Sequence, residues 1–133
     1  MVDTKQTQVV YSDLMMNFDV HPIKKDLIRA INDAAVKRSI RNLLLTTQNE
    51  RLFQPIIGSN VQQYLFDLIS SHTAQNLQDT IIDTINNYEP RAKLIGVRVT
   101  PDYDNSLYNV VVAFYITNIT NAVTLNINLQ TLR

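Results

Sequence analysis

Apolar residues recur at helical spacing through the middle of the chain, and toward the C-terminus the period falls to two. Val36, Ile40, Leu43 and Leu44 make one stripe. It predicts a helix that starts at Asn32 or Asp33, either of which can cap free backbone N–H groups, and runs to about Thr46. Val61, Leu65, Leu68 and Ile69 predict a second, shorter helix over residues 61–69. A third is expected over 74–87, capped by Ser71 or Thr73, with Leu77, Ile81, Ile85 and Tyr88 inward and Asp79 and Asp83 opposite. Pro90 stops it, because proline lacks an N–H and moves the preceding residue out of the helical region. Between the first two helices Asn49-Glu50-Arg51 reads as a turn, since Asn tolerates left-handed backbone, and Pro55 and Gly58 extend the irregular stretch.

Residues 94–100 alternate, with Ile95, Val97 and Val99 on one face and Arg98 and Thr100 on the other. Residues 101–106 are a turn by composition. Residues 107–117 form a β-rich run that is apolar on both faces, Val110, Val112 and Phe114 against Val111, Ala113 and Tyr115. Such a strand is expected to be covered on both sides. After a turn at 118–121, Val123, Leu125, Ile127 and Leu129 alternate with Thr124, Asn126, Asn128 and Gln130, the pattern of a half-buried strand. Helices first and strands last give an α+β class, with a three-stranded antiparallel meander at the C-terminal end. The expected organisation is one domain over 1–133: an arm that docks on a partner over 1–22, a helical part over 32–89 and a β part over 94–132. Leu27, Ile28 and Ile31 suit a helical turn and an extended stretch equally.

Composition narrows the function classes. At 133 residues and 45% hydrophobic, the chain can build one ordinary globular core. Twelve basic residues balance twelve acidic ones, so binding of nucleic acid over the whole surface is not expected. No apolar run reaches the ~20 residues of a membrane span, and the polar start Met1-Val2-Asp3-Thr4-Lys5 is unlike a secretory leader. The absence of Cys removes disulfides, thiolate nucleophiles and Cys-based zinc sites. The glycines are Gly58 and Gly96, too few for a phosphate-cradling loop, and His21 and His72 lack metal-ligand spacing, so no cofactor is expected.

A peptidoglycan hydrolase is the alternative from another class, and it needs a carboxyl group that keeps its proton. Glu50 and Glu89 are the only glutamates, with Arg51 and Arg91 close by in sequence. Pairing with these arginines would hold both ionised, the wrong direction for a general acid.

Three other features stand out. Lys37, Arg38 and Arg41 lie off the apolar stripe of the first helix, either as a solvated face or as a docking surface for an acidic partner. Glu89-Pro90-Arg91 places opposite charges on a stiff corner between the third helix and the first strand of the meander. That corner is either a local ion pair or a contact with another chain. No charge falls between Asn105 and Leu132. The last strand is therefore either part of a buried meander or an unguarded edge on which another chain can add a strand.

Several stretches match a known family: Tyr11-Ser12-Asp13, Ser39-Ile40-Arg41-Asn42-Leu43-Leu44, the Asn49-Glu50-Arg51 turn up to Gly58, Leu65-Phe66, and above all Asn87-Tyr88-Glu89-Pro90-Arg91. The chain resembles the small baseplate wedge proteins of T-even-like contractile-tailed phages, and through them the sheath initiator of type VI secretion baseplates. It departs from that pattern at Asn49, where the family often has Gly, and at Ile56-Ile57 before Gly58. The resemblance implies a structural virion protein without enzymatic activity, present as six copies in the inner tail baseplate and assembled in the host cytoplasm. It implies that Glu89, Pro90 and Arg91 contact the helical core bundle of larger wedge proteins. It further implies neighbouring inner-baseplate or tube proteins as partners, and no nucleic acid or membrane. The terminal β region, with Val123, Leu125, Ile127 and Leu129, would receive the tail sheath protein.

Overall fold

The computed structural model describes residues 11–14, 22–23, 25, 29–117, 119 and 122–132. Most of the expected arm, and the turn at 118–121 apart from residue 119, lie outside the described residues. Along the chain come β1 (Ser12–Leu14), β2 (Arg29–Ile31), α1 (Asp33–Leu45), α2 (Val61–Leu65), α3 (Ser71–Tyr88), β3 (Ala92–Asp102), β4 (Leu107–Ile116) and β5 (Ala122–Gln130). β1 and β2 pair antiparallel as a small ribbon, which resolves residues 29–31 in favour of the extended reading. β3, β4 and β5 form the expected antiparallel meander, in that order.

The helices lie on one face of the meander, α3 against β3 and α1 toward β5. Ile40 and Leu44 of α1, Leu77, Ile81 and Ile85 of α3, and Tyr108, Val110, Val112, Phe114 and Ile116 of β4 are buried together with Ile127 and Leu129 of β5. Full burial of side chains of this size contributes about 1.5–3 kcal/mol each, so this interface is the main source of stability. Val123 and Leu125 pack at its margin, and Thr124, Asn126, Asn128 and Gln130 point away, as the alternation requires.

Six expectations are corrected. Asn32 stands at the N-cap of α1 but its side chain makes no capping bond; its Oδ1 accepts from the Tyr11 N–H at 3.4 Å. α2 stops at Leu65 and leaves Leu68 exposed: the Phe66 and Asp67 N–H groups donate to the Gln63 and Tyr64 carbonyls at 3.3 Å, a tightened last turn, and the Leu65 carbonyl accepts from the Leu132 N–H at 3.0 Å. α3 starts earlier than expected. Ser70 is its cap, accepting from the Thr73 N–H at 3.1 Å.

A bulge between Leu94 and Gly96 makes the fourth correction. It reverses the alternation, so Leu94 packs on the core and Ile95 is exposed, while Val97 remains buried. β3 also continues through Pro101 and Asp102, confining the turn to 103–106. Finally, β4 is covered on one face only. Val111 and Tyr115 are exposed on the other, since all three helices fall on the side of Val110 and Phe114.

The connection from α1 to α2 doubles back on itself. Asn49 takes φ 71°, as its turn reading requires. Asn49 N–H donates to the Pro55 carbonyl at 2.8 Å, and Ser59 is tied to the Thr46 and Leu44 carbonyls at 2.9 and 2.7 Å. Gly58, at φ 151°, lets these strands of chain touch: a Cβ there would stand 2.8 Å from Gln48 N and from Thr47 C. Gly58→Ala should therefore cost about 2–4 kcal/mol. Urea unfolding of the two proteins checks this, and an unchanged midpoint would count against so tight a closure.

Candidate functional site: a braced corner and an open sheet edge

Pro90 ends α3 as expected. Glu89 is already out of the helix at φ −124°, ψ 80°, and Arg91 leads directly into β3. The Glu89 side chain turns inward and is 4% exposed. Arg91 grips it with two donors, Nε to Oε1 at 2.7 Å and Nη2 to Oε2 at 3.1 Å, the fork geometry peculiar to arginine. The Ser39 hydroxyl of α1 donates to the same Oε2. Arg91 also meets Asp13 of β1 at 3.5 Å and stacks over the Tyr11 ring, 5.6 Å from its centroid. The Tyr11 hydroxyl donates to the Thr117 carbonyl at 3.2 Å, and Thr117 N–H donates to the Arg91 carbonyl at 2.9 Å. Three segments distant in sequence, at Tyr11 to Asp13, Ser39 and Thr117, are thus joined at the tripeptide.

Of its three residues, Glu89 is enclosed, Arg91 is partly exposed and Pro90 is exposed. The local ion pair read from the sequence is present. Tyr11, Asp13 and Ser39 had no role assigned in the sequence reading. Their signal was that each lies in a stretch carrying the family resemblance.

Val123, Leu125, Ile127 and Leu129 lie on β5, an edge strand of the meander. Which backbone groups face outward follows from parity. Leu107 faces Gln130, and one step on Thr131 N–H donates to the Ser106 carbonyl at 3.0 Å, a hydrogen-bonded pair. Such pairs alternate with non-bonded ones along an antiparallel ladder. Val123, Leu125, Ile127 and Leu129 therefore bond to β4. Thr124, Asn126 and Asn128 turn their N–H and C=O groups outward. The bond from Thr117 to Arg91 gives the same parity on the opposite side of β4. There Pro101, with no N–H to give, occupies an outward position of β3. β3 also has its bulge and exposed Lys93 and Arg98, whereas β5 has no charge or proline.

The Glu89 carboxyl is not held as a proton donor. Burial pushes the Glu89 carboxyl up, but the hydrogen bonds from Arg91 and Ser39, with the arginine charge, outweigh it and hold it below its ordinary value. Glu50 does not pair with Arg51. It accepts from the Thr47 N–H at 2.9 Å on the exposed loop. Among the described residues no group of three or more His, Asp or Glu could hold a metal ion, and no helix is long and apolar enough to cross a membrane.

Residues 31–121 match the family described as Baseplate wedge protein gp25. Baseplate wedge protein gp25 of Enterobacteria phage T4 is 30% identical over 90 residues, 68% of this chain and 68% of that protein. A chain of the six-fold symmetrised anti-feeding prophage baseplate shares the fold at TM-score 0.71 and 24% identity, over 84% of this chain and 89% of its own. A Geobacter sulfurreducens protein provisionally described as a tail lysozyme does so at TM-score 0.68 and 19% identity, over 74% and 89%.

The corner gives a pH prediction. A carboxyl held below its usual value stabilises the fold above the ordinary carboxylate range, and that contribution is lost as pH falls through its lower folded value. Glu89→Gln should cost about 2–3 kcal/mol at pH 7, because Arg91 loses its partner. The gap between the two proteins should close below about pH 4. Denaturant titrations from pH 7 to 3 measure it, and a gap independent of pH would refute the ionised pairing.

Proposed function

Because the chain belongs to the baseplate wedge protein gp25 family, we propose that it is a non-enzymatic structural subunit of a contractile-tail baseplate on which the first sheath ring assembles. The observation that carries this reading is the outer edge of β5, a strand whose own residues include no charge or proline and whose ladder has no bulge. Native sheets protect such edges unless another strand is meant to add there. A sheath subunit contributing one extended segment would extend the meander by main-chain hydrogen bonds, with Val123, Leu125, Ile127 and Leu129 supplying the apolar face beneath the join.

The second contact is the corner. With Glu89 enclosed, Pro90 and the outer side of Arg91 are what a partner meets, and we assign them to the helical bundle of the larger wedge proteins. Glu89 then acts by positioning Arg91 through the fork. Six copies in the ring, inner-baseplate or tube proteins as further neighbours, and assembly in the host cytoplasm complete this reading. The direction of the Glu89 shift argues against a hydrolytic role, since the carboxyl keeps no proton to donate at neutral pH.

Asn126→Pro and Asn128→Pro each remove an outward N–H without breaking a bond to β4, whereas Ile127→Pro breaks the ladder itself. The first two should fold, enter baseplates and give tails with little or no sheath, as seen by electron microscopy; normal sheaths on either would exclude that edge. Arg91→Lys keeps a cation beside Glu89 but gives up the fork. It should leave the isolated protein folded and lower its recovery in wedge complexes severalfold, and full recovery would remove the corner from the contact.

A further inference from the structure

The flank of α1 overlooks the edge of β5 that no described strand pairs with, and the space between them is lined in an uneven way. A cleft of about 540 Å³ is bounded by Lys37, Arg38 and Arg41, with Ala34, Leu45 and Leu125 among its apolar lining. A second, of about 570 Å³, continues it past Lys37 to Val123, Thr124 and Ile119. Asp33 lines that second cleft and pairs with Lys37 at 3.9 Å, so among the described lining residues cations outnumber carboxylates, Arg38 being engaged in an interaction of its own. Arg41 carries that positive charge on toward Leu125. β5 itself has no charge to answer it.

A strand added outside β5 would lie about 4.8 Å beyond it, with alternate side chains on the helix side of the sheet. Those side chains enter the cleft. Lys37 and Arg41 stand one helical turn apart, about 5–6 Å between Cβ atoms. Two successive same-face positions of a strand are about 6.6 Å apart, so one strand can address both cations. We infer that the segment received by β5 is an acidic extended one, which points carboxylates at Lys37 and Arg41 and lays its stems on Leu45 and Leu125. This rests on the edge reading above and adds partner selection to it. The backbone edge accepts any strand, and the helix flank selects its charge. A lysine at those positions of the incoming strand would be repelled, and a neutral side chain would gain nothing from the cations.

The test uses the full chain and three blocked ten-residue peptides that alternate threonine with glutamate, glutamine or lysine. Binding is measured by calorimetry at 0.1 M and 0.5 M salt. The glutamate peptide should bind about five- to tenfold more tightly than the glutamine peptide, as two partly exposed ion pairs allow, and the lysine peptide least. The preference should shrink at the higher salt and fall within about twofold in the Lys37→Gln/Arg41→Gln variant. Asn126→Pro/Asn128→Pro should abolish binding of all three, with circular dichroism confirming the fold of both variants. Equal binding of the three peptides that the prolines still abolish would overturn the charge selection and leave the edge standing. A charge preference that survives the prolines would place the acidic segment in the cleft without strand addition and overturn the inference. Charge-blind binding that survives the prolines, or no binding of any peptide, would overturn the edge reading with it.

Discussion

A carboxylate as enclosed as that of Glu89 keeps its charge only if other groups replace the water it has lost. Arg91 and Ser39 do so, and the way they do it sets the positions of much else. Ser39 belongs to α1, Glu89 terminates α3, and Arg91 begins the run into β3, so one anion fixes the junction of both helical elements with the sheet. The arginine then reaches outward to Asp13 and Tyr11, which brings β1 against the far end of β4 through Thr117. A well-packed apolar cluster could hold these elements at least as strongly, because buried ion pairs add little net stability over an apolar replacement. It could not fix their directions as narrowly. The fork admits one orientation of guanidinium on carboxylate, and that orientation leaves one side of Arg91 and all of Pro90 at the surface.

Much of this architecture was legible in the sequence, for reasons that can be assigned residue by residue. The apolar stripes of α1 and α3, the stop at Pro90 and the alternation in β5 are local patterns, and burial of one face follows from period alone. What escaped was set by contacts between distant segments. At the end of α2 the Leu65 carbonyl is taken by Leu132 from the far end of the chain, and the outward turn of Ile95 follows from a bulge opposite Phe114 and Ala113. The two apolar faces of β4 gave a false expectation of two coverings, since sequence period cannot say where the helices go. In the site, the pairing of Glu89 with Arg91 was readable as one of two alternatives. Ser39, Asp13 and Tyr11 were not readable as its partners, because nothing in their own neighbourhoods asks for an arginine or a carboxylate.

The two edges of the meander receive opposite treatment, and that asymmetry bears on function more directly than any single side chain. β3 is interrupted by a bulge, bears Lys93 and Arg98, and places Pro101 where an outward N–H would otherwise stand. Each device discourages a neighbour from pairing there. β5 alternates cleanly through nine residues, with three outward-facing positions in succession occupied by Thr124, Asn126 and Asn128. The exposed face beside it continues the same character through Val111 and Tyr115 of β4. Left bare in a free protein, such an edge is an aggregation hazard, and a single lysine would have removed it. Among the described residues β5 keeps an unpaired edge while β3 closes its own three ways, which gives growth of the sheet a direction. Under the function proposed above, that direction is present in the subunit before any sheath protein arrives.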